Sequence, residues 1–192
     1  MKIVINFSTN GIPHDRSVLE FSAILLNDNN EKIGAVDRYY YLSPEEDWDS
    51  DAQKKHHLNA RKIYKFRRGT MYPRLFVLDT YILGLLKEAK EIVAHNMEFF
   101  KKFIPGELKG KNLFCTMEEE FLINGIAYGV NGEKKAPSLD EALAHYKIEP
   151  SSLPCERGEA PFDVRATFEI YKKIKSTSLR ERDAMSALFE SA

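Results

Sequence analysis

Apolar positions along the chain recur with two periods, and the change from one to the other predicts the order of elements. Lys2 to Phe7 is rich in β-branched and aromatic residues and predicts a strand. Val18 to Leu26 predicts a second, with Leu19, Phe21, Ala23 and Leu25 on one face. Asn27-Asp28-Asn29-Asn30 is turn chemistry, because Asn and Asp tolerate the left-handed conformation. Lys32 to Tyr41 then pairs back as a third strand. Ser43 to Met71 is polar and predicts irregular backbone or short helices. Leu75, Leu78, Ile82 and Leu85 recur at helical spacing. Glu91 to His95 carries Ile92-Val93, a short buried strand, and Asn96 to Phe103 predicts a helix that stops before Pro105-Gly106. Ser138-Leu139-Asp140-Glu141 is a capping box opening a helix with Leu139, Ala142, Leu143 and Tyr146 on one face. A further helix starts after Pro161 and runs toward Lys175. Ser178-Leu179-Arg180-Glu181 repeats the capping-box pattern and predicts a separate terminal helix with Met185 and Leu188. Strands, helix, strand and helices in this order predict an α/β domain with a mixed sheet flanked by helices.

Length and composition bound the function more than they define it. The 192 residues fit a single domain, with 176–192 as a C-terminal helical extension. A content of 43% hydrophobic and 11% aromatic residues excludes a disordered chain. Twenty-eight Lys and Arg against 29 Asp and Glu exclude a strongly basic nucleic-acid binder as a global description, though not a local patch. No apolar run approaches the roughly 18 residues of a membrane span, so no membrane partner is expected. The N-terminal apolar stretch is too short for a signal peptide, and a soluble, cytoplasmic protein is the expectation. Cys115 and Cys155 alone make neither a disulfide framework nor a four-ligand zinc site.

One local patch does stand out. After the acidic run Glu45, Glu46, Asp47, Asp49 and Asp51 the chain turns basic, with Lys54, Lys55, Arg61, Lys62, Lys65, Arg67, Arg68 and Arg74. No acidic residue occurs from Ala52 to Leu78, and Tyr64, Phe66 and Tyr72 are interleaved. That mixture suits phosphate contacts plus base stacking on single-stranded DNA or RNA. The plainer reading is a solvated face balanced by the acidic run before it, which would leave a protein as the partner.

Three segments share a resemblance. Ile5-Asn6-Phe7-Ser8-Thr9-Asn10-Gly11 resembles the first motif of the DEDDh 3′–5′ exonucleases, Asp-x-Glu-Thr-x-Gly. Val93-Ala94-His95-Asn96-Met97-Glu98-Phe99-Phe100 resembles their second, Val-x-His-Asn-x-x-Phe-Asp. Gly158 to Thr167 resembles the third, His-x-Ala-x-x-Asp-Ala-x-Ala-Thr, and Ser138 to Ile148 the helix preceding it. Order and spacing agree from about Lys2 to Lys175. The resemblance implies a ribonuclease-H-like fold and a site where four carboxylates hold two divalent ions, with a histidine acting on the attacking water. Residue by residue, the carboxylate positions are Asn6, Ser8, Phe100 and Asp163, and the histidine position is Gly158. Only Asp163 keeps its family type. Hard cations need anionic oxygens, so no Mg²⁺ or Mn²⁺ is expected as cofactor, and Asp163 is the sole candidate ligand.

The resemblance and the residues therefore diverge, and the main expectation is a degenerate exonuclease kept as a binding or assembly module. An active exonuclease with relocated ligands, which would use Mg²⁺ or Mn²⁺, and an unrelated function in the same cleft are the rivals. The other polar residues have plain roles. Asp163 lies on a helical stripe with Ala166, Thr167, Ile170 and Ile174 and reads as a buried hydrogen-bond acceptor. Asn96 reads as a helix cap. Glu98, about 200° round the helix from Phe100, faces elsewhere. Glu20 and Glu159 read as solvated or hydrogen-bonded groups, and His56-His57 as a surface loop.

Overall fold

The computed structural model describes residues 1–12, 16–119, 135–153, 155 and 158–190, with side chains of the last helix described through Thr177. Three strands open the chain, β1 (Lys2–Thr9), β2 (Val18–Leu26) and β3 (Lys32–Tyr39). Two short helices follow, α1 (Ser50–His56) and α2 (Ala60–Arg67). A 3₁₀ turn over Phe76–Leu78 leads into α3 (Thr80–Glu88), then β4 (Glu91–Ala94), α4 (Met97–Phe103), α5 (Pro105–Leu108) and β5 (Asn112–Cys115). Helices α6 (Leu139–His145) and α7 (Ala160–Glu190) complete the described chain. The sheet order is β3-β2-β1-β4-β5. β1, β2 and β3 pair antiparallel, whereas β4 and β5 run parallel to β1.

The alternation along β1 decides what lies on each side. Ile3, Ile5 and Phe7 face a large apolar layer with Phe21, Phe76, Ile82, Leu86, Ile92 and Phe100. Val4 faces α7, in a cluster with Ile24, Leu26, Val93, Val164, Phe168 and Tyr171. The same α7-side face turns polar further along the strands, where β1 presents Asn6 and Ser8 opposite Ser22 and Glu20 of β2. Helix α6 is held to α7 by Ala142, Leu143, Phe162, Ala166 and Ile170. Its start is the expected capping box, with the Ser138 side chain and the Glu141 side chain each accepting the other residue's backbone N–H.

Three sequence expectations are corrected. Helix α3 starts at Thr80 because the Asp79 carboxylate caps the Ile82 N–H, so Leu78 sits in the preceding 3₁₀ turn and is exposed. The helix before Pro105-Gly106 ends at Phe103 as the sequence predicts, and Pro105 opens a further one-turn helix at the position where a missing N–H costs nothing. Asn96 occupies the cap position of α4 but is left-handed, and its side chain makes no cap hydrogen bond. The Ser178 pattern begins no separate helix: α7 runs unbroken from Ala160 to Glu190. No Gly or Pro follows Pro161 of its first turn, and Ser176 and Thr177 return their hydroxyls to the Lys173 carbonyl. The side chains of Ser178, Glu181, Met185 and Leu188 lie outside the described residues.

Candidate functional site

Parallel strands that end side by side leave a crevice beyond their carboxyl ends. Here β1 and β4 do so, and the crevice is a cleft of about 480 Å³. Asn6, Ser8, Phe100, Gly158 and Asp163 all line it, although they come from a strand, two helices and a loop. Helix α1 forms the facing wall with Asp49, Asp51, Lys55 and His56, and His95, Asn96, Phe99 and Ile12 complete it.

The sheet and its flanking helices have counterparts among solved structures. Exonuclease X in complex with 5′ overhanging duplex DNA superposes with a TM-score of 0.64 at 17% identity, covering 93% of each chain. E. coli exonuclease I in complex with a dT13 oligonucleotide gives 0.67 at 15% identity, covering 95% of this chain and 42% of that one. A 3′-exonuclease that recognises the histone mRNA stem-loop gives 0.64 at 12% identity, covering 92% and 81%. The chain has the ribonuclease-H-like α/β fold of these exonucleases. No family model matches it in sequence, and no curated protein does.

Within that exonuclease fold the five family positions have different fates. Phe100 belongs to the apolar layer as much as to the cleft: it is 2% exposed and meets Phe7 edge-on at 4.6 Å between centroids. Gly158 has φ +86°, and a Cβ there would lie 2.8 Å from the Lys55 carbonyl oxygen. Helix α1 thus occupies the space a histidine at 158 would need. Ser8 donates its hydroxyl to Glu20 Oε2 at 3.1 Å, and Asn6 makes no side-chain hydrogen bond to the described residues. Asp163 is half-buried on the first turn of α7, facing the cleft. Among the described residues no three carboxylate, imidazole or thiolate side chains converge to hold a metal ion. The donor set of the described residues does not fit the divalent pair that the fold family implies.

Two groups around the cleft are only partly visible in the sequence pattern. Glu20 is fully buried, and its Oε2 also accepts the Ala160 N–H at 2.8 Å, tying the start of α7 to β2. Burial pushes its carboxyl up to about 7, against the pull of the Ala160, Tyr39 and Ser8 hydrogen bonds. The clue lies in the spacing: Glu20 and Ser22 alternate with Leu19 and Phe21 on a strand buried on both sides. His56 corrects the surface-loop expectation, being 6% exposed. Leu58 N–H donates to its Nδ1 at 3.0 Å, so the neutral ring carries its proton on Nε2, which has no hydrogen-bond partner. Burial lowers the pKa of that ring to about 4, against a smaller opposing pull from the Thr9 main chain. His57 is the exposed residue of the pair, left-handed at the helix end.

His95 is likewise held neutral by burial, with its pKa at about 4. Its Nε2 lies 3.1 Å from the Pro137 carbonyl, which can only accept, so Nδ1 accepts from Thr116 at 3.0 Å. The ring pins β4 to the segment before α6. Glu98 is exposed and paired with Lys101, pointing away from the cleft as expected.

The basic segment is divided. Lys55 lines the cleft, and Lys54 is paired with Asp51 at 2.8 Å. Arg61, Tyr64, Lys65, Phe66 and Arg68 are exposed along α2 and its end, with Lys62 half-buried. Arg67 is not among the exposed cations. It is 9% exposed, donates to the Tyr39 and Tyr72 carbonyls, and lies over the rings of Tyr41 and Tyr72. Its apolar neighbours and fixed guanidinium make it a brace between α2 and β3.

Proposed function

We propose that the chain is a nucleic-acid-binding or assembly module built on an exonuclease scaffold, without metal-dependent phosphodiester hydrolysis. The observation carrying this reading is the composition of the cleft at the five family positions, where Asp163 is the only carboxylate and Phe100 has been taken into the apolar layer. Two-metal hydrolysis needs carboxylates that hold both ions across the attacking and leaving oxygens. Exposed Arg61, Lys65 and Arg68 beside Tyr64 supply phosphate contacts and a stacking surface for a single strand. The nucleic-acid complexes of the structural neighbours support a nucleic acid as the partner class.

The test is digestion of end-labelled single-stranded DNA and RNA in Mg²⁺ and in Mn²⁺, beside fluorescence anisotropy on the same strands in EDTA. The expected outcome is binding in EDTA and no degradation above background. Degradation that disappears in Asp163→Ala would establish the rival reading with relocated ligands, for which Asp49 and Asp51 are the available carboxylates. Both are already engaged: Asp49 Oδ1 accepts the Asp51 and Ala52 N–H groups, and Asp51 pairs with Lys54.

A further inference from the structure

A file of arginine and tyrosine side chains crosses the surface beside α2. Arg74 lies over the Tyr41 ring at 4.6 Å, and Arg67 over Tyr41 at 5.1 Å and Tyr72 at 4.3 Å. Arg38 lies over Tyr72 at 4.8 Å and Tyr81 at 4.7 Å. Cation and ring therefore alternate in the order Arg74, Tyr41, Arg67, Tyr72, Arg38, Tyr81. Every step falls within the roughly 6 Å over which a ring attracts a guanidinium. The file joins β3 and the residue pair after it, α2, the loop that follows α2, and α3.

Its middle and its ends are built differently. Arg67 is fixed by the Tyr39 and Tyr72 carbonyls, and Arg38 by the buried Asp79 carboxylate. Asp79 also accepts the Tyr40 hydroxyl at 2.9 Å and caps the Ile82 N–H, so Arg38 is anchored to the fold. At the ends, Arg74 is exposed and Tyr81 is 53% exposed. Tyr41 and Tyr72 each meet two guanidinium groups, whereas Tyr81 meets one and stacks on no other ring of the described residues. The apolar layer takes Ile82 and Leu86 from α3 and does not include Tyr81. An exposed ring held by a guanidinium that is itself held by a buried carboxylate is preorganised for a flat partner.

We infer that Tyr81 is a second base-stacking platform for a single-stranded nucleic acid, reached from Tyr64 on α2 across this file, with Arg74 contacting a phosphate on the way. The inference rests on the nucleic-acid reading of the module and adds α3 to its surface. A base extends the alternation because every base has a π-face, which makes the contact tolerant of sequence. Charge favours a polyanion over a protein as the occupant: no acidic residue occurs from Ala52 to Leu78, the segment that supplies α2, Tyr72 and Arg74. Exposed Val77 and Leu78 precede Tyr81 and would serve a protein partner instead.

The experiment measures anisotropy of labelled oligothymidine and oligouridine 20-mers with the full chain in EDTA, at several salt concentrations. Tyr81→Ala should weaken binding by about five- to a hundredfold with the salt slope unchanged. Tyr81→Phe should keep the affinity, since stacking needs the ring and not the hydroxyl. Arg74→Gln should flatten the log–log slope by about 0.7. A readout independent of affinity is photocrosslinking to a strand carrying 5-bromouracil. After trypsin the adduct should map to the peptide Leu75–Lys87, whose only exposed ring is Tyr81, and should disappear in Tyr81→Ala. Unchanged affinity and an unchanged adduct in Tyr81→Ala overturn the inference and leave Tyr81, Val77 and Leu78 to a protein. If Tyr64→Ala loses affinity in that same series, the module reading stands without this platform. An unmodified protein that binds neither strand at low salt defeats both.

Discussion

The two faces of the sheet obey different rules. On the face of Ile3, Ile5 and Phe7 the strand side chains meet a large apolar layer, and the aromatic rings of Phe7, Phe76, Phe99, Phe100 and Phe103 lock edge to face or tilted. On the other face the first half is equally dry, but beyond Val4 it carries Asn6, Ser8, Glu20 and Ser22. Buried side-chain atoms without partners occur on this polar side: Glu20 Oε1, Ser22 Oγ opposite Asn6, and Thr167 Oγ1 one turn along α7 from Asp163. A scaffold tolerates unsatisfied groups where it serves a ligand and removes them where it only needs stability. The comparison also separates the positions singled out by the resemblance: Phe100 packs into the apolar layer, whereas Asn6 and Ser8 lie on the polar side without charge.

The strongest way to break this comparison is to return a carboxylate to the dry face. Phe100→Asp removes a buried ring and places an unpaired charge among Phe7, Phe99 and Ile104. Loss of a buried Phe alone costs about 3–5 kcal/mol, and the charge adds to it. Urea denaturation should show a drop of at least that size or loss of cooperative unfolding. A folded Phe100→Asp variant with near-native stability and new saturable Mn²⁺ binding would mean that position 100 still belongs to the cleft. Adding Gly158→His to the same variant should cost more, since its Cβ would meet the Lys55 carbonyl at 2.8 Å.

A second prediction sharpens the polar side through its protons. Folded Glu20 keeps its proton to about pH 7, but an unburied glutamate loses it near 4.5. The folded state therefore binds more protons across that interval, and stability falls as pH rises through it. His56 and His95 act oppositely: folded, they protonate only near pH 4, against an ordinary 6.5, so their contribution is lost as pH falls through that window. Two rings outweigh one carboxyl below pH 6.5, and Glu20 alone acts between there and pH 7. Stability should peak near pH 6.5 and decline slightly above it. Glu20→Gln keeps an oxygen for the Ala160 N–H and removes the decline, a gain on the order of 3 kcal/mol at pH 8. Thermal melts across pH 4–9 measure this; an unchanged alkaline limb in Glu20→Gln would show that Glu20 is ionised at neutral pH.

Periodicity made the hairpin, the β4 strand, the α6 capping box and the start of α7 legible, because each rests on local patterns that tertiary packing reinforces. The convergence of Asn6, Ser8, Phe100, Gly158 and Asp163 followed from the order of three motifs. What stayed hidden depends on contacts between distant segments. His56 is buried because Leu58 and Ile63 dock α1 and α2 against Leu19, which no spacing within that polar stretch reveals. Gly158 looked like a lost histidine, yet its glycine is required by the Lys55 carbonyl a hundred residues earlier. Arg67 looked like one more cation in a basic run.

Arg67 and its neighbour Arg68 supply the smallest and most discriminating prediction. They are adjacent in a run of cations, yet one is buried against Tyr41 and Tyr72 and the other is exposed at the end of α2. If α2 tracks a nucleic-acid backbone, Arg68→Gln should remove one phosphate contact and flatten the log–log salt dependence by about 0.7 on single strands. Between about 50 and 200 mM salt that amounts to less than a threefold change in relative affinity. Tyr64→Ala should weaken binding by roughly 1–3 kcal/mol with the slope unchanged, because stacking releases no counterions. Arg67→Gln should instead lower the melting temperature, since it frees two part-buried carbonyls and the faces of two rings, and at matched folded fraction it should leave the slope as it was. Anisotropy titrations at four salt concentrations separate the three variants. A slope that flattens in Arg67→Gln and not in Arg68→Gln would reverse the assignment of brace and contact, and an unmodified protein that binds no strand at low salt would make the segment a solvated face balanced by Glu45 to Asp51.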